Sequence, residues 1–289
     1  MSTGDKQIDD VTGVETTGHD WDGIRELNSP LPRWWVWTFY ATILWAVGYW
    51  IAMPAWPLVS DYTRGLLGHS QRAQLSDQIA AVKAGQADLI ARTAKASLAD
   101  IKADPELLEF ALAGGRSAYA VNCSQCHGSG ASGASGYPNL NDADWLWGGT
   151  VDQIHATIQY GIRGDHDETR ANEMPAFGRD ELLTPQEVDE VSDYVVALSR
   201  DPGLADTLPG KALYKEQCID CHGEGGQGNQ ELGAPKLSDD IWLHSGGKPT
   251  VVDVITNSRS GMMPAWVDRL DSVTVKQLAV YVHSLGGGS

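Results

Sequence analysis

The sequence predicts an all-α chain: one N-terminal transmembrane helix followed by two tandem helical domains, each under 100 residues. Three observations predict it. There is a tryptophan-rich stretch without charge from Trp34 to Ser60, a Cys-x-x-Cys-His pentapeptide that occurs twice, and a set of flanking residues repeated at matched distances around both pentapeptides. A length of 289 residues alone allows one large domain or several small ones, so the repeat decides the count. The formal net charge of −17 excludes nucleic acid as a partner and favours a basic protein, because such a surface repels phosphate and steers cations. The four cysteines stand as two adjacent pairs, which argues against a disulfide framework.

The first element is the anchor, residues 34–56. Trp34 to Met53 supplies mostly apolar positions over the length a helix needs to cross a bilayer core of roughly 30 Å, and Trp34, Trp35 and Trp56 mark its ends. A cleaved signal peptide fits poorly, since a polar, partly acidic segment precedes the stretch and Pro54 and Pro57 follow it. Arg25 and Arg33 before the span and Arg64 and Arg72 after it leave the charge rule for orientation undecided. Residues 57–106 follow as a helical stalk or linker, with Leu75, Ile79, Val82, Leu89 and Ile90 at helical spacing and Gly85 interrupting them.

Residues 107–200 and 210–289 then repeat one module, joined by a linker at 201–209. Gly115 and Tyr119 precede Cys123-Ser124-Gln125-Cys126-His127-Gly128 as Gly210 and Tyr214 precede Cys218-Ile219-Asp220-Cys221-His222-Gly223. Pro138-Asn139-Leu140 matches Pro235-Lys236-Leu237, Trp145 matches Trp242, and Thr150-Val151 matches Thr250-Val251, where each threonine is expected to cap a helix. Met174-Pro175-Ala176-Phe177 matches Met263-Pro264-Ala265-Trp266. Each copy ends in a helix, with Thr184-Pro185 and Asp271 as its expected caps.

Cys-x-x-Cys-His is the attachment signature of c-type haem: two thiols one helical turn apart bond the macrocycle and the adjacent histidine reaches iron. The modules are therefore expected to be class I cytochrome c domains. Two covalent haem c groups would sit on Cys123 and Cys126 and on Cys218 and Cys221, with His127 and His222 as axial ligands. A zinc ribbon would bring the pairs far closer than the 92 positions that separate Cys126 from Cys218. Met174 and Met263, each followed by proline and aligned by the repeat, are the expected sixth ligands; Met262 competes but does not align. A bis-histidine alternative would draw on His155, His166, His244 or His283, none of which recurs. In-domain pairing of histidine with methionine is the simpler reading; the spacing does not exclude exchange between copies. Haem attachment takes place on the outer side of the bacterial membrane, which places residues 1–33 in the cytoplasm and residues 57 onward in the periplasm.

The segment Asp22-Gly23-Ile24-Arg25-Glu26-Leu27-Asn28-Ser29-Pro30-Leu31-Pro32-Arg33-Trp34-Trp35 closely resembles the one leading into the anchor of the dihaem subunit III of cbb3-type cytochrome c oxidases, and the resemblance covers nearly the whole chain. The stretch after the anchor and the tail Gly286-Gly287-Gly288-Ser289 depart from it. The resemblance implies an inner-membrane subunit that takes electrons from cytochrome bc1, or from a basic soluble cytochrome c, and passes them to a monohaem subunit and the oxidase catalytic subunit. Oxygen would be reduced elsewhere, since this chain lacks the histidine-rich helical bundle of a haem–copper centre. A free-standing membrane-anchored carrier is the alternative. A dihaem peroxidase, which needs one open iron site, fits two equivalent Met-Pro loops poorly.

Overall fold

The computed structural model describes residues 6–288, and the chain divides between Ala84 and Gly85 into two compact units. The first unit opens with an antiparallel hairpin of β1 (Thr16–Trp21) and β2 (Ile24–Leu27). This corrects the all-α expectation. Asp22 and Gly23 form its turn with φ of +52° and +90°, the doubly left-handed geometry that Asp-Gly adopts between paired strands. The indole N–H of Trp21 donates to Glu26 across the hairpin at 3.1 Å.

Helix α1 (Arg33–Ala52) has 20 residues and none of them is buried. Pro32 stands at its N-cap with extended backbone, and Pro54 follows its C-cap, Met53. The chain then turns back, and the N–H groups of Leu66 and Leu67 donate to the carbonyls of Ile51 and Ala52, which the helix leaves unpaired at its end. Helix α2 (Gln71–Gly85) buries no residue. Among the described residues no helix is long and apolar enough, on mean hydropathy, to cross a membrane.

The second unit is helical throughout: α3 (Ala87–Lys95), α4 (Leu98–Ala103), α5 (Pro105–Asn122), α6 (Ser124–His127), α7 (Val151–Tyr160), α8 (Pro185–Arg200), α9 (Pro202–Ala205), α10 (Gly210–Gln217), α11 (Ile219–His222), α12 (Lys248–Asn257) and α13 (Ser272–His283). Reciprocal capping boxes start α7 (Thr150 with Gln153) and α8 (Thr184 with Glu187), and Asp271 accepts from the N–H groups of Val273 and Thr274 at the start of α13. Thr250 does not cap as expected. Pro249 can occupy the first turn of a helix, so α12 begins earlier, at Lys248 after Gly247.

The helices pack in two lobes whose membership does not follow chain order. The first lobe joins α3, α4, α5 and α7 to α13, around Ile101, Ala111, Ile154, Ile158, Leu278 and Val280. The second joins α8 and α9 to α10 and α12, around Val191, Tyr194, Tyr214, Val251 and Ile255. Each copy thus gives its last helix to the lobe built on the other copy's motif. Leu98 and Ile101, expected in the stalk, are buried in the first lobe. Lys276 on α13 draws the first lobe's N-terminal helices in: its ammonium donates to the carbonyls of Thr93, Ala94 and Ala96 at 2.7–3.2 Å, at the C-terminal end of α3.

The repeated glycines let each pair of helices approach closely. A Cβ at Gly115 would lie 2.2 Å from the carbonyl oxygen of Gln277 on α13, and one at Gly210 would lie 2.1 Å from that of Glu190 on α8. One turn on, Tyr119 packs against Tyr281 and Tyr214 against Tyr194, with ring centroids 5.6 and 5.0 Å apart. Alanine gains about 1 kcal/mol of helix propensity over glycine, but backbone cannot move aside, and overpacking costs about 1–3 kcal/mol. At 2.2 Å from backbone the upper end of that cost applies, so Gly115→Ala is expected to destabilise the first lobe by about 2 kcal/mol net. Thermal unfolding followed by circular dichroism checks this; an unchanged or raised midpoint would mean that the two helices can separate at no cost.

Candidate functional site

In both lobes the motif forms a single helical turn that follows directly on a helix: α6 after α5, and α11 after α10. The next glycine closes the turn in the left-handed region, Gly128 at φ +81° and Gly223 at +76°, which explains the residue after each histidine. The repeated tyrosines clamp it, since the hydroxyl of Tyr119 donates to the Gly128 carbonyl at 2.9 Å and that of Tyr214 to the Gly223 carbonyl at 2.8 Å. Burial pushes the Tyr119 phenol up to about 12 and that of Tyr214 higher still, so both remain donors.

The histidines are oriented alike. Nδ1 of His127 lies 3.0 Å from the Pro138 carbonyl, and Nδ1 of His222 lies 3.0 Å from the Pro235 carbonyl. A carbonyl partner fixes the proton on Nδ1 and turns Nε2 to a metal. Burial holds the His222 imidazole below its usual value, in the neutral form a ligand needs. Burial likewise pushes the thiols of Cys123 and Cys218 up to about 11, so neither is a thiolate poised for exchange.

The methionines lie with the other copy's motif. Met174 lines a cavity of about 200 Å³ together with Cys218, Cys221 and His222, walled by Trp242, Val251 and Ile255. Met263 packs on the cluster that also holds Cys123, Leu140 and Trp145. It is held there by two hydrogen bonds of 2.9 Å, exchanged between its main chain and that of Ile162 just beyond α7. In the second lobe the Arg179 N–H donates to the Thr256 carbonyl, laying the loop after Met174 along the end of α12. Met262 is largely exposed, at 66%. His244 lines the cavity of the second motif as well as His222, but only His222 belongs to a Cys-x-x-Cys-His turn and has its Nδ1 held by a prolyl carbonyl. An imidazole and a thioether complete an iron only if a macrocycle supplies its other ligands, and the paired cysteines beside them would bond such a macrocycle. The donor set fits c-type haem. The roles of the prolyl carbonyls and of the two tyrosines were not evident from sequence, although their matched recurrence in both copies marked the positions.

Helical lobes with a Cys-x-x-Cys-His turn, an oriented histidine and a methionine loop against an apolar wall define cytochrome c domains, which carry covalent haem c. Residues 110–195 and 205–282 each match the family described as cytochrome c oxidase, cbb3-type, subunit III, and residues 13–60 match the N-terminal domain of cytochrome oxidase-cbb3, FixP. The chain is 51% identical to the cbb3-type cytochrome c oxidase subunit FixP of Rhizobium meliloti (strain 1021) over 100% of both chains. It is likewise 51% identical to the FixP of Bradyrhizobium sp. (strain ORS 278) over 98% of each. With the subunit CcoP of Azospirillum sp. (strain B510) it shares 50% identity over 97% of this chain and 98% of that one. The chain belongs to the FixP/CcoP family, the subunit III of cbb3-type cytochrome c oxidases.

Proposed function

We propose that this chain is the electron-accepting subunit of a cbb3-type oxidase, passing electrons through two haem c groups towards a catalytic subunit and making no oxygen chemistry of its own. Cys123 and Cys126 would hold one haem and Cys218 and Cys221 the other, with His127 and Met263 supplying iron ligands to the first and His222 and Met174 to the second. The placing of Met174 in one cavity with His222 and its cysteines carries this reading. Bound haem supplies one-electron chemistry at iron, moved to higher potential by thioether ligation. The residues do the rest: the Pro138 and Pro235 carbonyls orient the imidazoles, Tyr119 and Tyr214 lock the motif turns, and Trp242, Val251 and Ile255 exclude water.

Helix α1 is the membrane anchor in this reading. Its 20 residues rise about 30 Å, and it is apolar on every face, as a span must be. Its tryptophans and tyrosines lower the mean hydropathy, yet Trp34, Trp35, Tyr49 and Trp50 stand near its ends, where amphipathic rings suit the headgroup level. Haem attachment outside the inner membrane puts the hairpin in the cytoplasm and the lobes in the periplasm.

Mild detergent extraction, native separation and an oxygen-consumption assay test the assignment. Comigration with oxidase activity is expected; migration as a small free species with no activity in its fraction would favour a lone membrane carrier.

The donor is a basic cytochrome c or cytochrome bc1. Asp165, Asp167 and Glu168 are exposed on the loop between α7 and Met174, where their charge steers a basic partner. Asp142 and Asp144 sit deeper. Burial first, then Asp239 and Asp142, push the Asp144 carboxyl above its usual value. Reversing Asp165, Asp167 and Glu168 to lysine is expected to slow association of a basic cytochrome c about tenfold at low salt and to flatten the salt dependence. Stopped-flow reduction at several ionic strengths measures it; an unchanged rate and slope would place docking elsewhere.

A further inference from the structure

The segments carrying Met174 and Met263 meet at one side chain. Arg163, three residues beyond α7, donates from Nε to the Gly261 carbonyl at 2.7 Å and from Nη1 to the Asn172 carbonyl at 2.7 Å. Gly261 stands two residues before Met263, and Asn172 stands two residues before Met174. The guanidinium thus holds both methionine loops at the same distance along the chain from their sulfur-bearing residues.

Its surroundings favour a role in position over a surface charge. Arg163 is half-buried, lines the cavity that contains Met174 and His222, and forms no ion pair among the described residues. Its backbone has φ +50°, a left-handed conformation that costs a non-glycine residue about 1–3 kcal/mol and persists where surrounding contacts over-determine it. Those contacts are visible: its N–H donates to the Arg170 carbonyl at 2.8 Å, and the preceding Ile162 exchanges both main-chain hydrogen bonds with Met263. The second loop is pinned again where Asn172 donates from its side chain to the Leu232 carbonyl at 2.7 Å, on the cavity wall.

We propose that Arg163 is a positioning residue shared by the two centres, its planar fork holding both methionine loops so that the sixth ligand of each iron depends on the same side chain. The proposal rests on the histidine–methionine pairing above. A charge-assisted hydrogen bond to each loop makes opening of each about tenfold rarer. Lysine keeps the charge but lacks the fork, so it cannot serve both carbonyls at once in this geometry.

The test uses the full chain in its assembled complex, with imidazole as a probe that binds ferric iron when methionine leaves. The two irons are distinguished by electron paramagnetic resonance, and covalent haem content controls for folding. Arg163→Lys is expected to raise the imidazole-binding rate about tenfold at both irons with haem content unchanged. Arg163→Gln, which keeps a planar group but no charge, should raise it at both irons as well and serves if the lysine variant fails to assemble. A rise at one iron only, or at neither, in either variant would overturn the sharing. Rapid imidazole binding by the unsubstituted protein would overturn the histidine–methionine reading itself, and the proposal with it.

Discussion

Met174→Ala is expected to open the iron held by His222, the histidine of the second motif, while leaving the haem covalently attached there through Cys218 and Cys221. Although Met174 belongs to the first copy in sequence, its side chain lines the cavity of the second motif. Loss of the thioether removes the ligand that favours ferrous iron, so the potential should fall by a sizeable part of the roughly 0.8 V over which axial ligands act. The vacated position should also bind carbon monoxide in the reduced state. Attachment depends on the cysteines and tuning on the methionine, so the two readouts separate. A potentiometric titration showing two unchanged haems, or carbon monoxide binding to the iron on His127, would contradict this account.

Ending the chain at Asp206 is expected to abolish both lobes, although it removes only the second copy in sequence. The first lobe would lose α13, whose Val275, Leu278, Val280 and Val282 are at most 5% exposed. At about 1.5–3 kcal/mol per buried aliphatic side chain their loss costs roughly 6–12 kcal/mol, comparable with the about 5–15 kcal/mol that holds a whole domain together. Helix α8 would in turn lose α10 and α12. Limited proteolysis and haem staining of the truncated chain should find no protected haem-bearing fragment. A stable domain spanning 107–200 would mean that each copy folds on its own, as tandem order suggests.

Much of the site could be read from the repeat. Cys123, His127, Cys218 and His222 follow from a pentapeptide whose spacing enforces its chemistry, and Met174 and Met263 were singled out from other methionines because the same Met-Pro-Ala-aromatic run follows both motifs. The exchange could not be read for the same reason. Two copies with equivalent helices and equivalent glycine–tyrosine contact positions leave undecided which last helix docks on which first one. The signal available was the unequal connection: Met174 lies 14 residues beyond the end of α7, whereas Met263 lies 6 beyond the end of α12. The longer connection contains Arg163, Arg170 and Asn172, all bonded across to other segments, and only the fold shows what it spans. The hairpin had a local signal in Asp22-Gly23, outweighed by the helical character of everything after it. Thr250 failed as a cap because Lys248-Pro249 offered an earlier start, a choice between two plausible first turns that local sequence leaves open.

The pairing of methionine with histidine is tested most directly in a chain reduced to one haem by Cys218→Ala and Cys221→Ala. The remaining haem is then attached at Cys123 and Cys126, and methionine-to-histidine substitutions are introduced one at a time while its potential is measured. Imidazole favours ferric iron relative to thioether, so Met263→His should lower that potential and Met174→His should leave it where it was. The opposite outcome, a fall with Met174→His and none with Met263→His, would show that each copy ligates its own iron and would contradict the exchanged centres described above.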